Sequence, residues 1–326
     1  MGIVSGKDQY YNARAKPVGS LPGRTSGDAP WSQGEASYQK SIGCPLGLKN
    51  RARGIVLLVP GTGGDASEAY KSSPYYQGLP SQGFDLCWVN IPNYSLGDMQ
   101  LAAEFVAYAI KFLAPKSTAS GGKINIVSFS QGGPNGSNYM KAANSLKDKQ
   151  SPAYAHIPTT IIYTTTDEIV TPQVGPNASS QLIGASRISI QEICGILNNP
   201  GHFFILGDVG VYGIALDALL KGHPAQASTV DRSYCTKTVQ SLGFQIGNLG
   251  NDLKFAFRVA IGEERGQMIA SQLRTLRVPA EPLLQQYVCD RGYTTSKCTT
   301  NGFKGNSTGS FVEVEKAAFG NSWADE

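Results

Sequence analysis

The feature that most constrains this fold is a short apolar run that leads straight into a serine followed by glycines. Residues 123–133 read KINIVSFSQGG, and the β-branched first half predicts a buried strand. Ser130 follows without a spacer, and Gly132 and Gly133 allow a sharp turn into a helix. A strand, a strained turn and a helix together predict a nucleophile elbow, in which the serine hydroxyl stands clear of the sheet. Because Ser128 replaces the first glycine of the common G-x-S-x-G form, an ordinary Ser/Gly loop is the alternative.

Length and composition bound the class of protein. A chain of 326 residues can bury a full core, and we expect one α/β domain with some decoration. Charged residues make up only 16%, with 38 glycines and 18 prolines, which suits an extracellular or loop-rich protein. The net charge of +4 is spread along the chain without a Lys/Arg run, so nucleic-acid binding has no support. No apolar run approaches the roughly 18 residues of a membrane span, and we expect no transmembrane segment.

Cysteines and glycosylation sequons point to the compartment. The six cysteines fit three disulfides, whose pairing the count alone leaves open. Asn93, Asn135, Asn177 and Asn306 each begin an N-x-S/T sequon, which is used only in secreted proteins. We therefore expect a secreted glycoprotein. Because residues 1–8 lack the apolar core of a signal peptide, we expect that the true start is missing or misassigned.

Predicted strands and helices alternate along the chain. Strands are expected at 53–60, 84–89, 124–129, 159–163 and 187–193, and helices at 102–113, 131–149, 209–220 and 263–276. The polar, aperiodic residues 1–43 are expected to form an extended or partly disordered arm. This alternation predicts an α/β fold with a mainly parallel sheet and helices on its faces.

A catalytic serine needs a base, an orienting carboxylate and donors for an oxyanion. The chain has three histidines, His156, His202 and His223. We favour His202, because it follows a predicted strand at the end where loops carry catalysis, although a structural histidine is the commoner case. Asp167 ends another predicted strand, so the order is Ser130, Asp167, His202, as expected of α/β-hydrolases. A surface turn or helix cap is the alternative role for Asp167.

The oxyanion donors are expected from two places. The amide of Gln131 begins the helix after the elbow, where N–H groups point towards negative charge. Thr62 lies in the loop Pro60-Gly61-Thr62-Gly63 and offers both an amide and a hydroxyl. Glycines in this loop permit close approach of the backbone.

These residues resemble the family of Candida antarctica lipase B, which are secreted fungal lipases with the α/β-hydrolase fold. The matching strings are LLVPGTG at 57–63, CW at 87–88, SQGG at 130–133, PTT at 158–160, TDEIV at 166–170, PQV at 172–174 and CG at 194–195. His202 also follows Cys194 at the family spacing. The resemblance covers roughly residues 27–300, so we expect an arm at 1–27 and a single α/β-hydrolase catalytic domain at 28–326.

The resemblance implies a role for each site residue. Ser130 would be the nucleophile, His202 the base, Asp167 the residue that orients it, and Thr62 and Gln131 the oxyanion hole. It also implies a substrate pocket and three disulfides. The implied pocket residues are Gly64, Phe129, Ile169 and Val170, and the implied disulfides are Cys44–Cys87, Cys194–Cys235 and Cys289–Cys298. No metal or cofactor is implied.

The chain departs from the family between the nucleophile and the acid. Asp167 follows Ser130 by 37 positions, several tens fewer than in the family, so one strand and the small lid helix have no room. Loss of one strand position would move the acid by about 4.8 Å. Either the loops that carry Asp167 and His202 compensate, or the triad is broken, or the segment was lost in gene prediction or splicing. We expect strand 159–163 to lie beside strand 124–129 or to leave a gap there, with Asp167 beyond reach of His202 or reached only through a rebuilt loop.

The function expected from the sequence is hydrolysis of carboxylic esters by a monomeric lipase or esterase through an acyl-enzyme. Its activity would be weakened by the misplaced acid, and its site would be more open without the lid. The expected partners are an ester or lipid substrate and a lipid–water interface. The alternative is a catalytically impaired α/β-hydrolase-like protein that binds a lipid or a partner.

Overall fold

The computed structural model describes residues 30–95, 98–136, 155, 157–238 and 285–290. The expected arm at 1–27, the helix at 263–276, and residues 137–149 of the helix at 131–149 lie outside the described residues. His156 also lies outside them.

A four-stranded sheet carries the elbow. Its strands are β1 (Ile42–Gly43), β2 (Ile55–Val59), β3 (Asp85–Val89) and β4 (Ile124–Ser128), in the order β1-β3-β2-β4. β3 and β4 each pair with β2 in parallel, whereas β1 is antiparallel to β3. The last residues of β2 and β4 are register partners. The loops after these two strands, which hold the expected oxyanion and nucleophile residues, therefore start side by side.

Helices flank the strands. Those described are α1 (Glu35–Ser41), α2 (Ala66–Tyr70), α3 (Pro74–Ser81), α4 (Met99–Leu113), α5 (Gly132–Gly136), α6 (Ile190–Cys194), α7 (Val209–Lys221) and α8 (Gln286–Asp290). Asp65, Asp98, Ser189 and Asp208 start four of them, because each side chain accepts an amide of the first turn. Across the described ranges, no helix combines the length and apolar character of a membrane span.

The two faces of the sheet bury separate apolar clusters. Ile55, Leu57 and Val59 of β2 belong to the cluster that contains the apolar side of α4. Val56 and Leu58 belong to the second cluster, which contains α3 and the buried side of α7. Because successive side chains of a strand point to opposite faces, the unbroken apolar run of β2 is explained by burial on both sides.

The strands that precede the expected acid and base form a separate sheet. β5 (Thr160–Tyr163) and β6 (Ser186–Ser189) pair in parallel. Within the part of the chain that is described, β5 does not pair with β4. This is the second of the two expected arrangements, in which strand 159–163 leaves a gap beside strand 124–129. Phe129 and Ile162 join the two sheets by packing against both the second cluster and a third cluster around β6 and α7.

The prediction of a strand at 187–193 is wrong for its second half. β6 ends at Ser189, whose hydroxyl accepts the amide of Glu192 and starts helix α6. A serine followed three residues later by glutamate is the signature of a capped helix start. The apolar alternation of this segment concealed that signal.

Helix α1 lies in the segment 1–43 that was expected to be extended or partly disordered, so that prediction is wrong for Glu35–Ser41. The fully buried Tyr38 donates from its hydroxyl to buried Glu104 over 2.6 Å. Ser32 donates to the same carboxylate oxygen, and Gln285 donates to the other. Burial, followed by the nearby Glu104 charge, raises the pKa of Tyr38, so its hydroxyl remains a donor. Hydrogen bonds from Ser32 and Tyr38 thus hold this segment against α4, because they satisfy the buried carboxylate of Glu104.

Two of the three implied disulfides are confirmed. They are Cys44–Cys87 and Cys194–Cys235. The first joins the segment after β1 to β3, and the second joins α6 to the 3₁₀ turn at Arg232–Cys235. Cys289 is also disulfide-bonded, whereas Cys298 lies outside the described residues, so that pairing stays a prediction.

Candidate active site

Ser130 stands on a strained turn between β4 and α5. Its φ is +52°, one of four positive values for non-glycine residues among the described residues. Such a conformation costs a few kcal/mol at most and persists where the surroundings enforce it. The turn is also tied to β2, because the amide of Phe129 donates to the carbonyl of Val59 over 3.0 Å. The elbow expected from the sequence is therefore formed.

Two glycines allow this turn to pack against the end of β2. A Cβ added to Gly61 would lie 2.7 Å from Cβ of Ser130. A Cβ added to Gly132 would lie 2.6 Å from the carbonyl oxygen of Val59 and 2.7 Å from that of Pro60. Larger side chains would force these backbones apart, so both positions require glycine.

His202 connects the serine to the acid. Its Nε2 atom lies 3.0 Å from Oγ of Ser130, and its Nδ1 atom lies 2.8 Å from Oδ2 of Asp167. The histidine is only 6% exposed. Its ring lies 5.2 Å from the ring of Phe129 and 5.5 Å from that of Phe203, between centroids. The three residues are thus arranged so that a proton can pass from the hydroxyl to an oriented imidazole.

The expected misplacement of Asp167 beyond the reach of His202 is wrong. The carboxylate contacts the imidazole directly, and its Oδ1 atom accepts the amides of Ile169 and Val170 over 2.9 and 2.7 Å. The expected displacement came from the loss of one strand position in the sheet, whether β5 lay beside β4 or left a gap there. Because β5 pairs with β6, the acid and the base follow two strands of one sheet and keep their mutual position.

Glu168 and Gln191 join the acid loop (residues 164–170) to the base loop (residues 195–204). Gln191 donates to Thr164 and to the carbonyl of Asn198, both over 2.9 Å, and accepts the amide of Thr165 over 3.0 Å. Glu168 accepts the amide of His202 over 2.8 Å. Neither side chain was predicted from the sequence to belong to the site. The only signal for them is the position of Glu168 directly beside the acid.

The expected oxyanion donors lie beside the elbow. The hydroxyl of Thr62 donates to the side-chain oxygen of Gln131. No carbonyl within the described ranges accepts the amide of Thr62 or that of Gln131. Both amides are therefore left for another acceptor. The hydroxyl of Thr62 is exposed and can turn from Gln131 to a substrate oxygen.

Comparisons with known proteins bear on what this arrangement does. No family model matches the chain. Lipase B of Pseudozyma antarctica is 25% identical over 252 residues, which are 63% of this chain and 72% of that protein. The crystal structure of Aspergillus fumigatus lipase B is similar with a TM-score of 0.61 and 26% identity, over 75% of this chain and 71% of that chain. The chain is therefore similar to two lipases B in sequence and structure. It has an α/β-hydrolase fold, and its likeness to lipases supports hydrolase activity of the lipase or esterase kind.

The expected pocket residues differ in their surroundings. Gly64 is buried, and the ring of Phe129 lies beside the imidazole of His202. Ile169 is 45% exposed, whereas Val170 is partly buried. All four lie in segments that carry the expected triad or oxyanion residues, and their contact with a substrate stays a prediction.

The other histidine that the structure describes, His223, lies in the turn after α7. It is exposed, and its Nδ1 atom lies 2.9 Å from the carbonyl oxygen of Pro224. Among the described residues, no group of three or more His, Cys, Asp or Glu side chains could hold a metal ion.

Proposed function

We propose that this protein hydrolyses carboxylic esters as a serine esterase or lipase, through an acyl-enzyme. The observation that carries the proposal is the continuous set of contacts from Ser130 through His202 to Asp167, at 3.0 and 2.8 Å. The likeness to lipases supports the same reaction class.

Acylation begins at Ser130. Its hydroxyl donates to Nε2 of His202, which takes the proton as the oxygen attacks the ester carbonyl. Asp167 holds Nδ1–H, which fixes the tautomer with a free Nε2 and stabilises the imidazolium that forms. The ester carbonyl oxygen becomes an oxyanion, and the imidazolium then donates its proton to the leaving alcohol.

The oxyanion needs donors that are already in place. The amides of Gln131 and Thr62, with the Thr62 hydroxyl, are the groups that we assign to it. In hydrolases of this type the loss of one such donor lowers kcat by about 10²–10³. Water then attacks the acyl-enzyme while His202 again serves as base, and Ser130 is released.

Exposed apolar side chains in the loops that carry Asp167 and His202 favour esters with apolar groups. Four exposed examples lie in the acid and base loops: Ile169, Ile196, Leu197 and Phe204. Leu197 is 92% exposed and Ile196 is 80% exposed, so two consecutive apolar side chains face solvent. They would contact an acyl chain or a lipid–water interface.

The two described disulfides support a secreted protein, because such bonds persist in oxidising compartments. We propose that the protein acts outside the cell as a monomer. The exposed sequon asparagine Asn177 lies on the surface loop between β5 and β6, where a glycan can be accommodated.

Labelling with a fluorophosphonate tests the proposed function, because this probe reacts only with an activated serine. The purified protein is expected to be labelled at Ser130 by peptide mapping and to hydrolyse p-nitrophenyl esters. Ser130→Ala and His202→Ala should abolish both, whereas His223→Ala should leave both unchanged. A correctly folded wild-type protein without labelling would indicate the alternative, an impaired hydrolase-like binding protein.

A further inference from the structure

The carboxylate beside the triad acid contacts the backbone of the triad base. Oε2 of Glu168 accepts the amide N–H of His202 over 2.8 Å, across 34 positions of sequence. Asp167 contacts the imidazole of the same histidine. Two consecutive acidic residues therefore hold one histidine, the first by its ring and the second by its main chain.

A second observation locates the Glu168 carboxylate on the base loop. A Cβ added to Gly201 would lie 2.5 Å from Oε2 of Glu168 and 3.0 Å from both Cδ and Oε1. The carboxylate thus packs directly on the Cα atom of Gly201. The backbone of Gly201 and His202 forms a seat that a side chain at position 201 would fill.

The position of this backbone sets the direction of the imidazole. The loop before it contains Gly195, with a positive φ, and the exposed Ile196 and Leu197, so apolar packing does little to fix it. The contact from the side-chain oxygen of Glu168 therefore holds the base loop close to its catalytic residue.

We propose that Glu168 is a positioning residue for His202, acting through the backbone amide without touching the reacting atoms. This inference rests on the proposed function, in which His202 is the base. Loss of the contact lets the imidazole move relative to Ser130 while the ring contact with Asp167 persists. Since a full ångström of misplacement costs about 10²-fold in rate, partial freedom should cost about tenfold.

Removal of the acceptor is the first test. Glu168→Ala is expected to lower kcat for p-nitrophenyl ester hydrolysis about tenfold, with KM and the melting temperature unchanged. Glu168→Gln keeps an oxygen acceptor and should stay within about twofold of wild type. Glu192→Ala is the matched control, because it removes an exposed carboxylate on α6. Equal activity of Glu168→Ala and wild type, or an equal loss in Glu168→Gln, would overturn the proposal.

Gly201→Ala disrupts the same contact by a change in the base loop instead of the acid loop. Gly201 is not among the residues with positive φ, so its backbone accepts alanine. The new methyl group should displace the flexible end of Glu168 and reproduce the loss in kcat. The double variant Glu168→Ala/Gly201→Ala should be no worse than either single variant, because both remove one interaction. Additive losses would contradict the shared seat.

Amide hydrogen exchange separates this proposal from the proposed function. Exchange of the His202 amide should become faster in Glu168→Ala and Gly201→Ala, and should remain slow in Glu168→Gln and Glu192→Ala. If the wild-type protein is neither labelled nor active, the proposed function fails and the catalytic role of Glu168 fails with it. If exchange is unchanged in Glu168→Ala, the positioning contact itself is wrong, whatever the activity.

Discussion

Oδ2 of Asp167 lies 2.8 Å from Nδ1 of His202, while Oδ1 of the same carboxylate accepts two amides of its own loop. Both oxygens are therefore engaged, and rotation of the carboxylate would break three contacts. The side chains of the pair are only 7% and 8% exposed, so water competes little for them. The acid is held in one orientation by its own loop before it contacts the base.

This arrangement predicts a large effect of Asp167→Asn. An asparagine that keeps the amide contacts through its oxygen presents NH₂ to Nδ1, which stabilises the wrong tautomer of His202. In a related triad this change lowers kcat about 10⁴-fold. Steady-state kinetics with p-nitrophenyl esters should give a loss of that order, with the melting temperature nearly unchanged. A loss below about tenfold would show that Asp167 does not orient the base.

The elbow could be predicted because its signals are local. A β-branched run, a serine without a spacer and two glycines specify strand, turn and helix within about a dozen residues, and β4, Ser130 and α5 follow that order. Helix α6 was missed because short apolar segments fit either period. The decisive residues, Ser189 and Glu192, carry the signal in their spacing.

The acid–base geometry could not be predicted from spacing. Counting strand positions from β4 measures distance along one sheet, whereas Asp167 and His202 follow the paired strands β5 and β6. Gln191 links their two loops by hydrogen bonds that the hydrophobic periodicity of the sequence does not predict. Helix α1 was missed for a similar reason, because Tyr38 of this helix donates a hydrogen bond to the carboxylate of Glu104, which lies 66 positions away.

Two aspartates that start helical segments should respond to pH in opposite directions. Burial raises the pKa of Asp208 above its ordinary value of 3.8, so its charged form is less favoured in the folded protein than in the unfolded chain. Its contribution to stability is present below the ordinary pKa and is lost as pH rises through the folded value. Asp208→Asn keeps the acceptor for Val211 and should raise the melting temperature at neutral pH, with the gain disappearing in acid.

Asp231 provides the contrast for that experiment. Hydrogen bonds from Ser233 lower the pKa of Asp231, so its stabilising contribution is present above the ordinary value and is lost as pH falls. Asp231→Asn should therefore lower the melting temperature slightly at neutral pH and change nothing in strong acid. Melting curves of both variants from neutral pH to strong acid show whether each substitution raises or lowers the melting temperature. A change of melting temperature in the same direction for both variants at neutral pH would contradict the assigned causes of the two pKa shifts.

The Cys44–Cys87 bond is expected to contribute strongly to stability. Both cysteines are fully buried, and the bond closes a loop with a sequence separation of 43. The loop-entropy relation gives about 4 kcal/mol for a loop of this length. The double variant Cys44→Ala/Cys87→Ala should lose about that free energy of unfolding in urea titrations. Non-reducing peptide mapping of the wild type should also find Cys289 joined to Cys298, and a free thiol at either would contradict the implied pairing.

Neighbouring glycines of the elbow should respond differently to alanine. At Gly132 the added methyl group would meet the carbonyl oxygens of Val59 and Pro60 at 2.6 and 2.7 Å, and these backbone atoms cannot turn away. At Gly133 the nearest atom to an added Cβ would be Oγ of Ser128 at 3.9 Å, an ordinary contact. Gly133→Ala should therefore keep the site, and helix propensity should stabilise it by up to about 1 kcal/mol.

Gly132→Ala should instead push the start of α5 away from β2 and displace Ser130. We expect loss of fluorophosphonate labelling and a decrease in stability of about 1–3 kcal/mol, as for other overpacked sites. Circular dichroism separates a displaced elbow from global unfolding, because the first leaves the helical signal intact. Since the two variants add the same methyl group one residue apart, equal labelling of Gly132→Ala and Gly133→Ala would show that the close packing of the elbow on β2 is not required for the reactive serine.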